Sequence, residues 1–369
     1  MLGAGKGMTW VGAWAVGSLT CLSVVSSPPS AAATPLSGGD VRCGTVVRHD
    51  LRLQHDVLGC AGVALVVARA HVRIDLNGHQ LTGTGEEGSV GVQASGQADV
   101  RIENGTIRHF QVGALLQDLR DARLDRLEVV DTTRVGILLL RVEHSRIRRS
   151  TLRPAPQSDH SATGIQLFQS QHIRVVDNSL SHNGDGISLS QSDYNRVERN
   201  GSSDSGAGIS LFDGSDHNVI ALNMADANAD TGILLDQHAD HNLLVANRAS
   251  HNTFSGIAVG ASDDNVIAAN VAVDNSGGGV AVVDNALRTV VIGNLATRNG
   301  FNPFTACVPL CPLLDDGVHI DAPQTTVARN ITNTNADLGI EAVAGVTDGG
   351  RNRARDNGDV RQCVGVVCR

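Results

Sequence analysis

A short hydrophobic phrase recurs along the chain at nearly constant intervals. In its most regular stretch, Gly186 to Asn294, it occurs five times as a glycine, an apolar alternation, and a second apolar unit that ends in asparagine. Alternation with a period of two over three to five residues predicts short β-strands rather than helices. The Asn, Asp, Ser and Gly between the strands are typical of turns with left-handed backbone.

The spacing of the glycines predicts the architecture. Most steps are 22 to 24 residues, whereas Gly136 to Gly164 is 28 and Gly279 to Gly317 is 38. Such a repeat predicts a solenoid with about three short strands per turn, in which parallel strands of successive turns stack about 4.8 Å apart. The register runs through Gly91, Gly113, Gly136, Gly164, Gly186, Gly208, Gly232, Gly256, Gly279, Gly317 and Gly339.

Asparagines recur at fixed places in the repeat. Inside a turn, a side-chain amide can bond the backbone or the amide of the next turn. We therefore interpret these residues as structural ladders and not as ligands. One set ends the second apolar unit, namely Asn178, Asn200, Asn223, Asn247, Asn270, Asn294 and Asn330; others include Asn228, Asn252, Asn275, Asn299 and Asn335, and Asn195, Asn218, Asn242 and Asn265.

Three features resemble the right-handed parallel β-helix proteins. They are Ile74–His79, the Gly-Ile-x-Leu register, and Asp337–Ala342 followed by Val346–Gly350. From about residue 43 onward the chain is similar to secreted bacterial members of the pectate-lyase-like superfamily, in a branch without an assigned activity. The resemblance implies an all-β, single-stranded right-handed parallel β-helix (solenoid) of about eleven to twelve turns of 22–24 residues.

The first 33 residues have the features of a secretory signal peptide, with Lys6, an apolar stretch and a cleavage site at Ala31–Ala33. We therefore expect a secreted, extracellular or cell-surface protein that is not inserted in a membrane after signal removal. Residues 34–369 are expected to form one β-helix domain. It comprises an N-terminal cap and first turns (34–90), a regular coil (91–350) with insertions at 153–163 and 300–316, and a C-terminal cap (351–369).

Charge and aromatic content limit the partners. The net charge is −9 and the single lysine lies in the predicted signal peptide, so nucleic acid binding is not expected. Both tryptophans also lie there, which disfavours a tryptophan platform for sugars. We expect a monomer. The arginines of the early coil alternate with acidic residues and are interpreted as an exposed ion-pair surface: Arg120, Arg123, Arg126, Arg134, Arg141, Arg146, Arg148, Arg149 and Arg153.

Six cysteines remain after signal removal, an even number that fits disulfides in an exported protein. Six cysteines allow 15 pairings. Proximity in the sequence favours Cys43–Cys60, Cys307–Cys311 and Cys363–Cys368, of which the first and third would close the two ends. A metal site is the alternative, but no C-x-x-C pair occurs.

The two long steps suggest a groove. Both insert residues just before a repeat glycine, so two loops would rise on one side of a rigid scaffold. Outward residues two and four positions after each glycine would form the floor between them. Candidate substrate-binding residues on this floor are Phe168, Phe212 and Asp236, and the two phenylalanines lie two turns apart.

A polar cluster near the C-terminal turns supplies candidate catalytic residues. These are Asp316, His319, Asp321 and Glu341, with His319 and Glu341 in one column. Paired carboxylates perform acid–base chemistry in glycosidases, and histidine titrates near neutral pH. The alternative interpretation is an exposed polar surface beside the C-terminal cap.

Metal and enzyme motifs are weak. The column His172, Tyr194, His217, His241 and Asp264 brings only His217 and His241 close enough to share an ion, so we predict neither a metal nor a cofactor. Some β-helix proteins that resemble this chain belong to copper-processing systems. The characteristic motifs of pectate lyases, polygalacturonases and alginate epimerases are absent, so no catalytic residue is transferred from those families.

Two functions are compatible with this pattern. The first is an exported protein that presents a long face to an extended polymer, most simply a polysaccharide, without a clear catalytic motif. The second is a carbohydrate-active enzyme, a polysaccharide lyase or glycoside hydrolase, that uses the acidic and histidine cluster. The sparse aromatics and the small residues of the groove floor favour the first.

Overall fold

The computed structural model describes residues 41–155, 162–284, 286–302 and 314–369. Within these residues the regular structure is entirely β-strand, and every strand pairing is parallel. The predicted fold class, a parallel β-solenoid, is confirmed. The predicted signal peptide and the Cys307–Cys311 pair lie outside the described residues.

Each turn of the solenoid contributes one strand to a sheet that runs the length of the molecule. We call it the first sheet; it has fourteen strands in the described residues, so the chain winds through about thirteen turns. Its strands are Thr45–Val47, Val63–Val67, Val90–Ser95, Val112–Gln117, Val135–Leu140, Thr163–Phe168, Asp185–Ser190, Ala207–Phe212, Ile233–Leu235, Ile257–Gly260, Val280–Val283, Val318–Ile320, Ile340–Ala342 and Cys363–Val364.

The rest of each turn supplies a second and a third strand on two further faces. Arg101–Arg108 and Arg123–Thr132 are long enough to run through both faces. The second sheet contains Leu51–Arg52, Arg73–Asp75, Arg146–Arg148, Arg174–Val176, Arg196–Glu198, Val219–Ala221, Leu243–Val245, Val266–Ala268, Val290–Ile292, Thr326–Ala328 and Thr347–Gly350. The third contains Val57–Cys60, Gln80–Gly83, Thr151–Pro154, Ser179–Ser181, Gly201–Ser203, Met224–Asp226, Arg248–Ser250, Val271–Val273, Leu295–Thr297, Ile331–Asn333 and Arg353–Arg355.

The core consists of columns of identical or similar apolar side chains. In the first sheet Ile165, Ile187, Ile209, Ile233 and Ile257 are register partners on successive turns, and all are fully buried. Inward aliphatic residues of all three sheets meet in one continuous cluster along the axis. Burial of this surface drives the stacking of the turns, because no single turn can bury its own apolar face.

The repeat glycines are required by close backbone approach. At Gly256 a Cβ would lie 2.7 Å from the side-chain nitrogen of Asn275 and 2.8 Å from the carbonyl oxygen of Gly279. Neither neighbour can retreat, since Asn275 is buried in a hydrogen-bonded ladder and Gly279 is the equivalent glycine of the next turn. The register that reveals the fold in the sequence is therefore a steric requirement.

The predicted asparagine ladders are present. The side-chain oxygen of Asn247 accepts hydrogen bonds from the backbone N–H and the side-chain amide of Asn223, at 2.9 and 3.0 Å. In turn the side-chain amide of Asn247 donates to Asn270 of the next turn and to the carbonyl of Ile220. Both the oxygen and the nitrogen of the Asn247 side chain are thus used within the fold, which agrees with a structural role.

The left-handed backbone at the corners is not adopted by the asparagines themselves, contrary to the expectation from their residue type. The ladder asparagines are not left-handed; the residue before each one is, including Leu222, Ala246 and Ala269 with φ of 58°, 55° and 53°. The asparagine that follows ties the corner to the next turn through its amide. That cooperative hydrogen bonding holds an apolar residue in a conformation that glycine normally occupies.

Both ends of the coil carry a disulfide. Cys43–Cys60 closes the first turns and Cys363–Cys368 closes the last, each with an S–S distance of about 2.0 Å. Solenoid ends expose unpaired strand edges, so covalent closure there limits fraying. In the described parts of the chain, no helix has the length and apolarity needed to cross a membrane.

Candidate functional site

The outward face of the first sheet carries the residues predicted to form the groove floor. Phe168, Ser190 and Phe212 are consecutive register partners, so the two phenylalanines lie two turns apart, as predicted. In the neighbouring column Ala281, His319 and Glu341 are register partners. The strand register therefore agrees with the columns predicted for Phe168 and Phe212 and for His319 and Glu341.

A cavity of about 190 Å³ lies in the middle of this floor. Its apolar walls include Phe212, Leu234, Phe254 and Ala258, and its far side includes Leu314. The carboxylates of the cavity are those of Asp230, Asp236 and Asp284, and the described lining residues include no arginine. Phe212 and Asp236 are two of the three predicted substrate-binding residues, whereas Phe168 does not line this cavity.

Two of these carboxylates form a pair across one strand. Oδ1 of Asp236 and Oδ2 of Asp284 each lie 3.5 Å from the point that a Cβ on Gly260 would occupy, so the two oxygens are at most 7.0 Å apart. Gly260 is the register partner of Val283 and separates the two turns. A side chain at position 260 would fill the space between the carboxylates.

The pair is electrostatically unusual. Burial, followed by the negative charges of Asp236 and Asp321, raises the pKa of Asp284 to about 6. Burial also raises the pKa of Asp236 and that of Asp230. Carboxyl groups that hold a proton near neutral pH are the kind used as general acids.

Sequence reasoning missed Asp284. It lies one position beyond the outward residue Val283, where a regular strand would turn the side chain away from the groove. Its backbone is left-handed, with φ of 52°, and its side chain faces the groove. The available signal was an aspartate directly after the strand, two turns along the coil from Asp236.

The predicted catalytic cluster is partly assembled. Nδ1 of His319 lies 2.8 Å from Oδ2 of Asp316 and 3.3 Å from Oε2 of Glu341. Asp316 is fully buried, and its other oxygen accepts a hydrogen bond from the backbone N–H of Leu338 at 2.9 Å. His319 is 7% exposed, so His319 and Asp316 are buried, whereas the Glu341 side chain is 43% exposed and Asp321 lies on the surface.

Asp321 stands apart from these contacts. Its side chain forms no hydrogen bond or ion pair with the other three residues, but its charge acts on both His319 and Asp284. Burial alone would lower the pKa of His319, but the hydrogen bond to Asp316 and the charges of Asp316, Glu341 and Asp321 outweigh it and raise that pKa. Burial raises the pKa of Asp316, despite the opposing hydrogen bond of His319. Asp321 thus links the cavity to the histidine cluster electrostatically.

Among the described residues, one group that could hold a metal ion includes a histidine. Asp316, His319 and Glu341 each offer a ligand atom, all within 4.8 Å of one another. One imidazole and two carboxylates suit a divalent ion, and they lack the sulfur ligands that favour copper(I). His217 and His241, the pair considered from the sequence, do not form a metal site. Their rings stack 4.9 Å apart with planes 4° from parallel. Nitrogens in parallel ring planes cannot converge on one ion.

A family comparison agrees with the architecture. The family described as "Periplasmic copper-binding protein (NosD)" matches residues 61–201 and 157–306, about two thirds of the chain. The chain belongs to this family. No curated protein matches the chain.

Solved structures of similar fold include several proteins with sugar-related names. The A-module of a mannuronan C-5 epimerase of Azotobacter vinelandii has a TM-score of 0.56 and 16% identity, covering 87% of this chain and 91% of its own. A mutant of the periplasmic alginate epimerase AlgG has a TM-score of 0.59 and 15% identity, covering 80% and 76%. The DFA-IIIase of Arthrobacter chlorophenolicus has a TM-score of 0.52 and 14% identity, covering 66% and 70%. At these identities the similarity establishes the fold alone.

Proposed function

We propose that the groove over the first sheet binds an extended, uncharged polysaccharide. The observation that carries this proposal is the cavity between Phe212 and Asp284, with apolar walls and carboxylates at its rim. Sugar rings offer apolar C–H faces to an aromatic wall and hydroxyl donors to carboxylates. The names of two structural neighbours, a mannuronan epimerase and an alginate epimerase, support the polysaccharide class, although both of those polysaccharides are anionic.

The charge of the groove determines the kind of sugar. Asp230, Asp236 and Asp284 line the cavity, and its described lining supplies no arginine to neutralise a ligand carboxylate. A polyanion would be repelled here, and it would raise the pKa of these carboxyls further. An uncharged chain avoids this cost.

The test is calorimetric titration with a panel of neutral hexasaccharides. We expect at least one to bind, and Phe212→Ala and Asp236→Asn each to weaken its affinity by about tenfold. Met224→Ala, which removes an exposed side chain of the third sheet, is the matched control and should bind as the wild type does. Failure of every neutral oligosaccharide to bind would overturn the proposal.

A second candidate function is glycoside hydrolysis, favoured by the Asp236–Asp284 pair. In glycosidases the two carboxyl groups lie about 5 to 9.5 Å apart, and these oxygens are at most 7.0 Å apart. Protonated Asp284 would give its proton to the glycosidic oxygen as the C–O bond breaks. Asp236 would take a proton from the water that adds to the anomeric carbon. The Asp316–His319–Glu341 cluster is the other candidate centre.

Catalysis is tested by assaying the bound oligosaccharide for new reducing ends and for unsaturated products. Hydrolysis at the pair predicts that Asp284→Asn abolishes product formation while the hexasaccharide still binds. Loss of product with His319→Gln but not with Asp284→Asn would assign the reaction to the cluster. Absence of any product from a bound hexasaccharide would leave binding alone as the function.

The family description also names copper. Asp316, His319 and Glu341 are the residues that would hold a copper(II) ion, which would supply Lewis-acid chemistry at that end of the groove. Titration with copper(II) should then raise the melting temperature of the wild type but not of His319→Gln. His251→Gln, in an exposed Asp226–His251 pair, is the control. No shift with the wild type would exclude this site.

We also propose that the protein is exported. The disulfides Cys43–Cys60 and Cys363–Cys368 require an oxidising compartment to persist. The family description places its members in the periplasm. Fractionation of producing cells, with a probe for free thiols, tests the location and the oxidation state together.

A further inference from the structure

A single-file column of arginines runs along the second sheet, away from the groove. Its six members are register partners on consecutive turns, so their stems lie about 4.8 Å apart and the column is about 24 Å long. We call it the arginine ladder: Arg73, Arg101, Arg123, Arg146, Arg174 and Arg196. On the following turns the same column is apolar, beginning with Val219 and Leu243.

The ladder is only partly neutralised. Arg101 pairs with Asp99, Arg73 with Glu103, and Arg174 and Arg196 share Glu198. The arginines beside the ladder agree with the expected ion-pair surface, because Arg120, Arg141 and Arg149 are each paired with a carboxylate.

The two central members have no such partner. Arg123 and Arg146 form no salt bridge with any described residue. Burial and the charges of Arg174, Arg148 and Arg123 lower the pKa of Arg146, because like charges crowd it. An anion beside the ladder would relieve that repulsion.

Aromatic rings line one side of the ladder. His144, His172 and Tyr194 precede Arg146, Arg174 and Arg196 by two residues, and the stack continues through His217 and His241. Neighbouring ring centroids are 4.8 to 5.6 Å apart. Because the ring faces are covered by one another, a ligand meets ring edges, where imidazole and phenol offer hydrogen bonds.

A cavity of about 610 Å³ joins these elements. It is lined by Arg101, Arg123, Arg146 and Arg174 of the ladder, by the rings of His144 and His172, and by the carboxylates of Glu103 and Asp125. Asp125 is already committed, since it pairs with Arg126, Arg148 and Arg149. Glu103 is likewise paired with Arg73 and Arg126, so the described charged lining residues without a salt bridge are Arg123 and Arg146.

We propose that the arginine ladder binds an anionic polysaccharide that carries carboxylate or sulfate groups. The planar guanidinium matches such groups through paired hydrogen bonds. One guanidinium per turn in a straight file matches charged groups spaced along an extended chain. Glu103 can accept hydrogen bonds from the hydroxyl groups between them.

The surroundings favour a polysaccharide over a nucleic acid. The chain carries a net charge of −9, which repels a densely charged polyphosphate at long range. The carboxylates beside the ladder would lie against consecutive phosphates, whereas sugar hydroxyls can donate to them. The ring faces within the stack are covered by their neighbours, so a base cannot stack on them.

The test measures binding of the full mature protein to end-labelled heparin and polygalacturonate oligosaccharides by fluorescence anisotropy. The double variant Arg123→Gln/Arg146→Gln removes two guanidinium groups without breaking an internal ion pair. We expect the wild type to bind one of the two probes with an affinity that falls with salt, and the double variant to lose at least about tenfold. Preference for heparin or for polygalacturonate distinguishes sulfate from carboxylate.

The matched control is Arg288→Gln/Arg298→Gln, which changes the net charge equally at a distant, ion-paired site. It should retain the wild-type affinity, and so should Asp236→Asn in the groove, so that this proposal and the neutral-sugar proposal fail independently. Thermal melts of both double variants check folding. Three results would overturn the ladder: no binding of either probe, equal loss in the control, or tighter binding of a DNA oligonucleotide of matched charge.

Discussion

Asp236 and Asp284 approach each other across Gly260, each with a carboxylate oxygen 3.5 Å from the same point in space. That point is where the Cβ of any other residue at position 260 would lie. The groove is thus open because one turn of the first sheet carries no side chain there. The neighbouring turns place Leu235–Asp236 and Val283–Asp284 at its two sides.

The first prediction is that Gly260→Leu closes this space. A Cβ at 3.5 Å is in ordinary contact and the backbone is not left-handed, so folding should be retained. The rest of the leucine enters the cavity, and we expect hexasaccharide affinity to fall at least about tenfold with little change in melting temperature. Gly201→Leu, where a Cβ meets no atom within 4 Å, is the control. Wild-type affinity in Gly260→Leu would show that the cavity is not the binding site.

The second prediction concerns pH. Burial, then the charges of Asp236 and Asp321, raises the pKa of Asp284 to about 6 from an ordinary value of 3.8. The folded state therefore holds this proton more tightly than the unfolded state, so the contribution to stability is present at low pH and is lost as the pH rises from about 4 to about 6. Asp284→Asn lacks this loss. Its melting temperature should exceed that of the wild type at pH 7.5, and the difference should shrink towards pH 4.

A control with the opposite sign is available. The hydrogen bonds of Arg361 lower the pKa of Asp359 to about 2. Its contribution to stability is present above about 4 and is lost towards pH 2, so Asp359→Asn should be no more stable than the wild type at pH 7.5. If both variants shift in the same direction, the effect of Asp284→Asn reflects net charge and not its local surroundings.

The fold could be predicted from the sequence because the same structural requirements recur in every turn. Every turn needs glycine at the close approach, aliphatic residues inside and asparagine at the corner, so a fixed period reports all three at once. The same logic placed Phe212, Asp236 and His319 on the outward face of the first sheet.

The candidate sites were harder to predict because they depend on residues that depart from the repeat. Asp284 reaches the groove through a left-handed residue after its strand, which no alternation predicts. The arginine ladder was visible only as a charge-rich segment, since salt-bridge partners are set by contacts between turns. Arg123 and Arg146 looked like their paired neighbours until register was known.

The third prediction concerns the left-handed corners. Ala246 and Ala269 have φ of 55° and 53°, and Gly293 occupies the equivalent place one turn on with φ of 68°. A left-handed backbone costs an L-residue about 1 kcal/mol or more relative to glycine. Ala246→Gly and Ala269→Gly should each raise the free energy of unfolding by about 0.5 to 1 kcal/mol, measured by urea denaturation. Ala272→Gly, at a buried core position, should lower it instead. Destabilisation by all three would show that the corners carry no strain.

The fourth prediction concerns the interior of the longest asparagine ladder. Asn247→Ala would leave the backbone N–H and side-chain amide of Asn223 without their acceptor, and the carbonyl of Ile220 without its donor. Each buried polar group left unpaired costs about 1 to 3 kcal/mol, so the free energy of unfolding should fall by about 3 kcal/mol or more. Asn333→Ala, outside the ladders, is the matched control and should change it by less than about 0.5 kcal/mol.

The number of turns that Asn247→Ala destabilises distinguishes a connected ladder from asparagines that act independently at each corner. Asn247 bonds to both neighbouring turns, so its loss weakens two interfaces of a structure whose stability is a sum of neighbouring contacts. Hydrogen exchange should therefore accelerate on the turns that contain Asn223 and Asn270, and remain slow near the Cys43–Cys60 end. Uniform acceleration along the whole coil would mean that the solenoid unfolds as one unit, and equal effects of Asn247→Ala and Asn333→Ala would contradict the ladder itself.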